Sequence, residues 1–227
     1  MRTATVAILL AFTSIANAQG DPKLAKPPAK HEATWTVDDI VQAEEAGGMQ
    51  ISPDGKHVVW IKRSPDKEKN ELVSQIMLSS LTDAKEIQLT RGNHSAGAPQ
   101  WSPDGKVVAF LSARPAPKSA KKRDDGDKDD DKTQVWLINP FGGEAWPLTD
   151  SPRDIRGFAW KDNDTILYIA QEKKTKLEGD LKTKKDTTQV IDDELNEPPV
   201  RLWQIDLKDK KSERLTSNTD RIQSLAV

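Results

Sequence analysis

Cysteine is absent from the 227 residues, which excludes disulfides, thiolate metal sites and a cysteine nucleophile together. Histidine is scarce: His31, His57 and His94 are the whole supply of imidazole, too few and too scattered for a clustered metal site. Neither sign of charge is in excess, with 34 Lys and Arg against 36 Asp and Glu. The basic surplus that accompanies nucleic-acid binding is therefore missing, and no nucleic-acid partner is expected. Beyond the N-terminus no apolar run approaches the ~18 residues that a membrane span needs. What remains is the balance of a soluble chain of one or two domains, 31% charged and 35% hydrophobic.

The one apolar run lies at the start. Arg2 precedes Ala4 to Phe12, and Ala16-Asn17-Ala18 stands before Gln19, the charged, hydrophobic and small-residue segments of a secretory signal peptide. Residues 1–18 are expected to be removed on export, leaving a periplasmic or secreted protein without a lipid anchor. Residues 19–33, with Pro22, Pro27 and Pro28, are expected to be a flexible linker.

From residue 34 an internal repeat organises the chain. Ser52-Pro53-Asp54-Gly55 and Ser102-Pro103-Asp104-Gly105 each follow a large apolar residue, Ile51 or Trp101, and precede an apolar run. Lys161-Asp162-Asn163-Asp164 after Trp160 is a degenerate third copy. Pro presets φ in such a turn, Asp caps it locally and Gly takes the left-handed conformation, so each copy predicts a tight hairpin. The strands that follow, such as Val107 to Leu111, are apolar at successive positions and call for burial on both faces.

A second block recurs in step: Gln75-Ile76-Met77-Leu78, Gln134-Val135-Trp136-Leu137 and Arg201-Leu202-Trp203-Gln204. Thirteen residues after Met77, Trp136 and Trp203 come Thr90, Thr149 and Thr216, each preceded by Leu. Eleven residues separate Thr90 from Trp101 and Thr149 from Trp160, and eleven more after Thr216 reach Val227. Two hairpins with constant linkers give four strands per repeat, and only the connection between the second and third strands varies: about 63–73, 113–132 and 171–199. The expectation is an all-β chain, three four-stranded blades of an incomplete β-propeller over 34–227, with blades at about 49–90, 98–149 and 155–216 and the start of a fourth at 221–227. Three blades do not close a ring, since propellers use at least about four. The chain is therefore expected to be a fragment of a longer protein. Before the blades, Thr36 is placed to cap a helix from Val37 to about Ala46, with Asp39 at the capping-box position and Gly47-Gly48 as the stop.

Candidate chemistry is sparse. Asn93-His94-Ser95-Ala96-Gly97 lacks the first glycine of a G-x-S-x-G nucleophile elbow and sits in a linker between blades, so no catalytic residue is assigned. Of the fifteen residues 118–132, six are Lys or Arg and six are Asp. Their spacing misses that of an EF-hand, since six residues counted back from Gly126 put Lys121 first, so a solvated loop is expected with no metal and no cofactor. Asp192, Asp193 and Glu194 cluster shortly before the third strand of the last blade and are the candidate substrate-binding residues, able to hold a cationic group such as a peptide N-terminus. The repeat-equivalent Trp101, Trp136, Trp160 and Trp203 are expected to fill the core.

The block Trp101-Ser102-Pro103-Asp104-Gly105-Lys106, with Leu-Thr ending each blade, resembles the repeats shared by TolB-type periplasmic propellers and the prolyl oligopeptidase family of serine peptidases. The opening Trp35-Thr36-Val37-Asp38-Asp39-Ile40 leading into Gln50-Ile51-Ser52-Pro53-Asp54-Gly55 is similar to the dipeptidyl-peptidase and acylaminoacyl-peptidase branch of the latter. That resemblance implies a propeller that restricts access to an α/β-hydrolase domain carrying Ser, Asp and His, acting on short peptides. None of those catalytic positions falls in this chain. A non-enzymatic TolB-like binding propeller is the alternative.

Overall fold

The two Ser-Pro-Asp-Gly turns are built alike in the computed structural model, which describes residues 36–115, 132–173, 175–184, 186, 198–217 and 222–225. In each, the Ser hydroxyl donates to the Asp carboxylate two residues on, Ser52 to Asp54 at 2.6 Å and Ser102 to Asp104 at 2.7 Å. The same hydroxyl accepts the backbone N–H of the second residue beyond the turn, His57 at 2.9 Å or Val107 at 3.0 Å. Gly55 and Gly105 both stand at φ 71°, a left-handed conformation that costs glycine nothing. The third copy closes without Ser or Gly: Asp162 accepts the N–H of Asp164 at 2.9 Å, and Lys161 N–H reaches the Thr165 carbonyl at 3.0 Å.

These turns join the first two strands of three four-stranded antiparallel sheets, each a consecutive meander. Sheet 1 contains β1 (Glu45–Ile51), β2 (His57–Asp66), β3 (Glu71–Ser80) and β4 (Glu86–Gln88). Sheet 2 contains β5 (Ala96–Trp101), β6 (Val108–Ser112), β7 (Gln134–Ile138) and β8 (Trp146–Pro147). Sheet 3 contains β9 (Ile155–Trp160), β10 (Thr165–Gln171), β11 (Val200–Asp206) and β12 (Ser212–Arg214). The fourth strands are the shortest, as suits an exposed edge.

Apolar side chains on both faces of the inner strands stack the sheets. Val59, Ile76 and Leu78 of sheet 1 pack against Trp101, Val108, Phe110, Trp136 and Ile138 of sheet 2. The other face of sheet 2, with Ala109, Val135 and Leu137, packs against Phe158, Trp160, Ile166, Tyr168 and Ile205 of sheet 3. The tryptophans before the turns also tie sheet to sheet, since Trp101 Nε1 donates to the Gln50 carbonyl at 3.2 Å and Trp160 Nε1 to the Gln100 carbonyl at 3.3 Å. Trp101, Trp136 and Trp160 are buried and Trp203 is half-buried, in line with a core role. The result is a propeller-like stack of three sheets.

Two local expectations need correction. The helix α1 covers only Val37–Val41, and Glu45 and Ala46, expected at its end, begin β1, paired with Arg63 and Lys62. Cross-strand pairing overrides the local helical pattern there, and Gly48 serves a β-bulge at φ 59° instead of a helix stop. The first variable connection, expected to loop over 63–73, is instead ladder: β2 and β3 pair as far as Asp66 and Glu71. Its turn is short because Asp66 Oδ1 accepts the N–H groups of Glu68 and Lys69, a local cap that the sequence reading overlooked. Residues 1–35, which hold the expected signal and linker, lie outside the described residues, as do 221, 226 and 227 of the expected start of a fourth blade.

Candidate functional site

Meander parity puts the connections between second and third strands, and the linkers from one sheet to the next, at one end of every sheet. A repeated clip fixes that end. Thr90 Oγ accepts the Ile76 N–H at 2.9 Å and donates to Gln75 Oε1 at 2.7 Å. Thr149 repeats both bonds with Val135 at 3.0 Å and Gln134 at 2.8 Å. The two glutamines then reach the linkers: Gln75 Nε2 donates to the Gly92 carbonyl at 2.9 Å, and Gln134 Nε2 to that of Ser151 at 3.0 Å. The Leu-Thr motif and the third-strand Gln of sheets 1 and 2 are thus one device.

Sheet 3 departs from it. Arg201 replaces the glutamine, Thr216 keeps only its bond from the Leu202 N–H at 3.0 Å, and an ionic hub stands in for the missing amide. Glu172, at the start of the long connection, accepts from Arg201 Nε at 3.0 Å and from Arg214. Its N–H donates to the Pro199 carbonyl at 3.2 Å, so both ends of the connection are held together. Arg153, from the linker before β9, donates to the Glu172 carbonyl at 3.1 Å and pairs with Glu178. Burial alone would push both carboxyls up, but the hydrogen bonds from Arg201 and Arg214 to Glu172, and from Arg153 and the Thr175 N–H to Glu178, outweigh it and hold both below the usual range. These acids stay ionised at neutral pH within their pairs, which suits them to anchoring and not to proton transfer.

Glu178 belongs to α2 (Lys176–Thr183), which the sequence reading treated as loop. Its start is a capping box: Thr175 Oγ accepts the Glu178 N–H at 3.2 Å while Glu178 accepts the Thr175 N–H at 2.7 Å. Thr175-Lys176-Leu177-Glu178 was the signal for it. The candidate substrate residues Asp192, Asp193 and Glu194 lie outside the described residues, although both ends of their connection lie within them. The His94-Ser95 pair sits in the linker as expected, where Ser95 Oγ accepts the Ser74 N–H at 3.1 Å and the His94 carbonyl accepts from Gln75. Among the described residues no cluster of His, Asp or Glu could hold a metal, and no helix is long and apolar enough to cross a membrane.

No family model matches the chain. The uncharacterized peptidase YuxL of Bacillus subtilis is 29% identical over 133 residues, covering 58% of this chain and 18% of YuxL. The lasso peptide isopeptidase AtxE2 of Asticcacaulis excentricus is 24% identical over 179 residues, covering 68% of this chain and 24% of AtxE2. The AtxE2 structure without ligand matches the fold with a TM-score of 0.56 over 79% of this chain and 31% of that one, at 19% identity. An acylaminoacyl peptidase of Pyrococcus horikoshii matches with a TM-score of 0.54 over 78% of this chain and 25% of its own, at 15% identity. The chain spans about a fifth of the length of the curated relatives it matches. The sequence relatives of this chain are thus peptidases, and its propeller-like fold matches part of the length of peptidase structures.

Proposed function

We propose that this chain is the propeller portion of an exported serine peptidase that acts on short peptides, the catalytic Ser, Asp and His being supplied by an α/β-hydrolase domain outside these residues. The observation that carries the reading is the sequence match to the peptidase YuxL and the isopeptidase AtxE2, over 58% and 68% of this chain. The open outer face of sheet 1 supports a larger ring: Ile51 is 65% exposed, whereas its repeat equivalents Trp101 and Trp160 are 7% and 8% exposed against the preceding sheet. In a closed propeller a further blade covers Ile51. The ring then limits entry to short peptides and excludes folded proteins.

In this reading the connection from Gln171 to Pro199 overhangs the substrate path, and Asp192, Asp193 and Glu194 hold the ammonium of a peptide N-terminus. Replacing all three by Asn or Gln raises KM for substrates with a free N-terminus about tenfold or more, from the ~1.5–3 kcal/mol of a hydrogen bond to a charged group, and leaves blocked substrates unaffected. Equal kinetics on both substrate types would remove the cluster from the binding site. Export predicts a mature protein beginning at Gln19, which intact-mass analysis of secreted protein reads directly.

The decisive experiment is to read the gene beyond Val227 for G-x-S-x-G and to assay the complete protein on peptidyl and aminoacyl substrates with and without a serine-directed inhibitor. Inhibitor-sensitive hydrolysis is expected. A complete protein with no such motif and no hydrolysis would leave the TolB-like binding propeller as the answer.

A further inference from the structure

Three buried side-chain polar atoms lack a hydrogen-bond partner among the described residues: Arg114 Nη2, Trp136 Nε1 and His57 Nδ1. Two of them are neighbours on sheet 2, Arg114 and Trp136, and the third, on sheet 1, reaches the β7–β8 hairpin through Phe141. The Arg114 guanidinium lies over the rings of Phe110 and Trp136, at 5.3 and 5.1 Å from their centres. The His57 ring meets Phe141 edge-on at 5.2 Å. Arg114 and Phe141 both line a groove of about 540 Å³ that runs between the outer strand of sheet 1 and the β7–β8 hairpin.

The repeat supplies a comparison within the chain. Trp203 occupies the position of Trp136 one sheet on, and its Nε1 donates to the Ala170 carbonyl at 3.4 Å. Trp136 is only 2% exposed and has no such acceptor, with a guanidinium over its ring instead. Two adjacent groups that can only donate therefore face an unmet demand for an acceptor. Desolvation moves the Arg114 pKa down, an unfavourable setting for a cation that an anion would relieve. The groove carries two arginines, Arg91 and Arg114, against one acid, Glu144.

Its other walls select what accompanies the anion. Phe141 and Ile87 are 65% and 51% exposed, apolar surface beside the cation. Gly142 and Gly143 line the same groove with open space where side chains would stand, which lets a ligand's backbone approach closely. The volume falls within the range of sites for small ligands.

We infer that this groove binds the C-terminal residue of a peptide that ends in an apolar side chain, with the carboxylate on the Arg114 guanidinium, the side chain against Phe141 and Ile87, and the peptide backbone along Gly142-Gly143. The site lies between two sheets and stands apart from the peptidase reading, so it holds or fails independently of catalysis. Arginine suits the carboxylate because its planar fork offers two parallel donors.

The test uses the 227-residue chain and four probes: N-acetyl-phenylalanine, its C-terminal amide, acetate and octanoate. Binding is followed by the indole N–H resonance of Trp136 in 15N-labelled protein, assigned with Trp136→Phe. N-acetyl-phenylalanine is expected to shift that resonance and to bind at least tenfold more tightly than its amide, and Arg114→Met is expected to weaken it at least tenfold. Phe141→Ala, at an exposed ring where folding is not at stake, is expected to weaken N-acetyl-phenylalanine several-fold while leaving acetate unaffected. Equal binding of acid and amide, or unchanged binding by both variants, would overturn the assignment. Octanoate binding as tightly as N-acetyl-phenylalanine would overturn the peptide and assign the groove to a fatty acid.

Discussion

Removing the hydroxyl of the threonine clip by Thr→Val should destabilise the chain in a graded way, because the three copies lose different numbers of bonds. In Thr90→Val the Ile76 N–H and Gln75 Oε1 both lose their partner, at a site where Thr90 is 1% exposed. At ~1–3 kcal/mol for each of the two buried groups left unsatisfied, the loss is about 2–6 kcal/mol. In Thr149→Val the Val135 N–H is orphaned, but Gln134 Oε1 keeps the Ser151 N–H at 2.8 Å, so about 1–3 kcal/mol is expected. In Thr216→Val only the half-buried Leu202 N–H is affected, since Arg201 makes its bond to Glu172 instead, and about 1 kcal/mol or less is expected. Valine keeps the shape, so cavity formation does not blur the comparison. Urea unfolding followed by tryptophan fluorescence gives the three values. Equal losses at Thr90 and Thr216 would refute the clip as the device that fixes this end of the sheets.

Gly48→Ala should cost about 1–3 kcal/mol in urea unfolding, because φ is 59° and the new Cβ would lie 2.8 Å from Ile61 Cδ1; Gly55→Ala, at φ 71° with open space around it, should cost only the backbone part, about 1 kcal/mol. Glu172→Gln should destabilise sheet 3 by about 1–2 kcal/mol, since Arg201 is only 11% exposed and its bond to the Glu172 carboxylate loses the charge, less than the full penalty of a buried pair because Arg214 is 47% exposed; an unchanged unfolding midpoint would reduce the hub to surface decoration. Lys106 and then Ser102 hold the Asp104 carboxyl down from its ordinary 3.8 to about 2, so its contribution is present above pH 4 and is lost as pH falls toward 2; in acid titrations read by circular dichroism, Asp104→Asn should be less stable at neutral pH and less sensitive to that window.

Much of the fold was legible in the sequence because its signals are local and repeat. Proline and glycine fix turn geometry within four residues, and constant spacings carry that geometry from one sheet to the next, so turns, third strands and Leu-Thr clips could be aligned before any contact was known. The candidate site was far less legible. Glu172, Arg201 and Arg214 lie 29 and 42 residues apart along the chain, and Arg114 owes its setting to rings on two different strands. No spacing rule announces such pairs. The capping box at Thr175 was readable and was missed because a charged connection was read as one loop.

By itself the sequence determined the four-strand period, the hairpin turns and the apolar faces, all set by backbone sterics and by the alternation of side chains along a strand. Long-range contacts set where α1 stops, make the first connection a ladder, and replace the amide clip of sheet 3 with an ionic hub. Each of those depends on what a distant segment offers in exchange for a local preference: a pairing partner for Glu45, a partner strand for Pro65, and two arginines for Glu172.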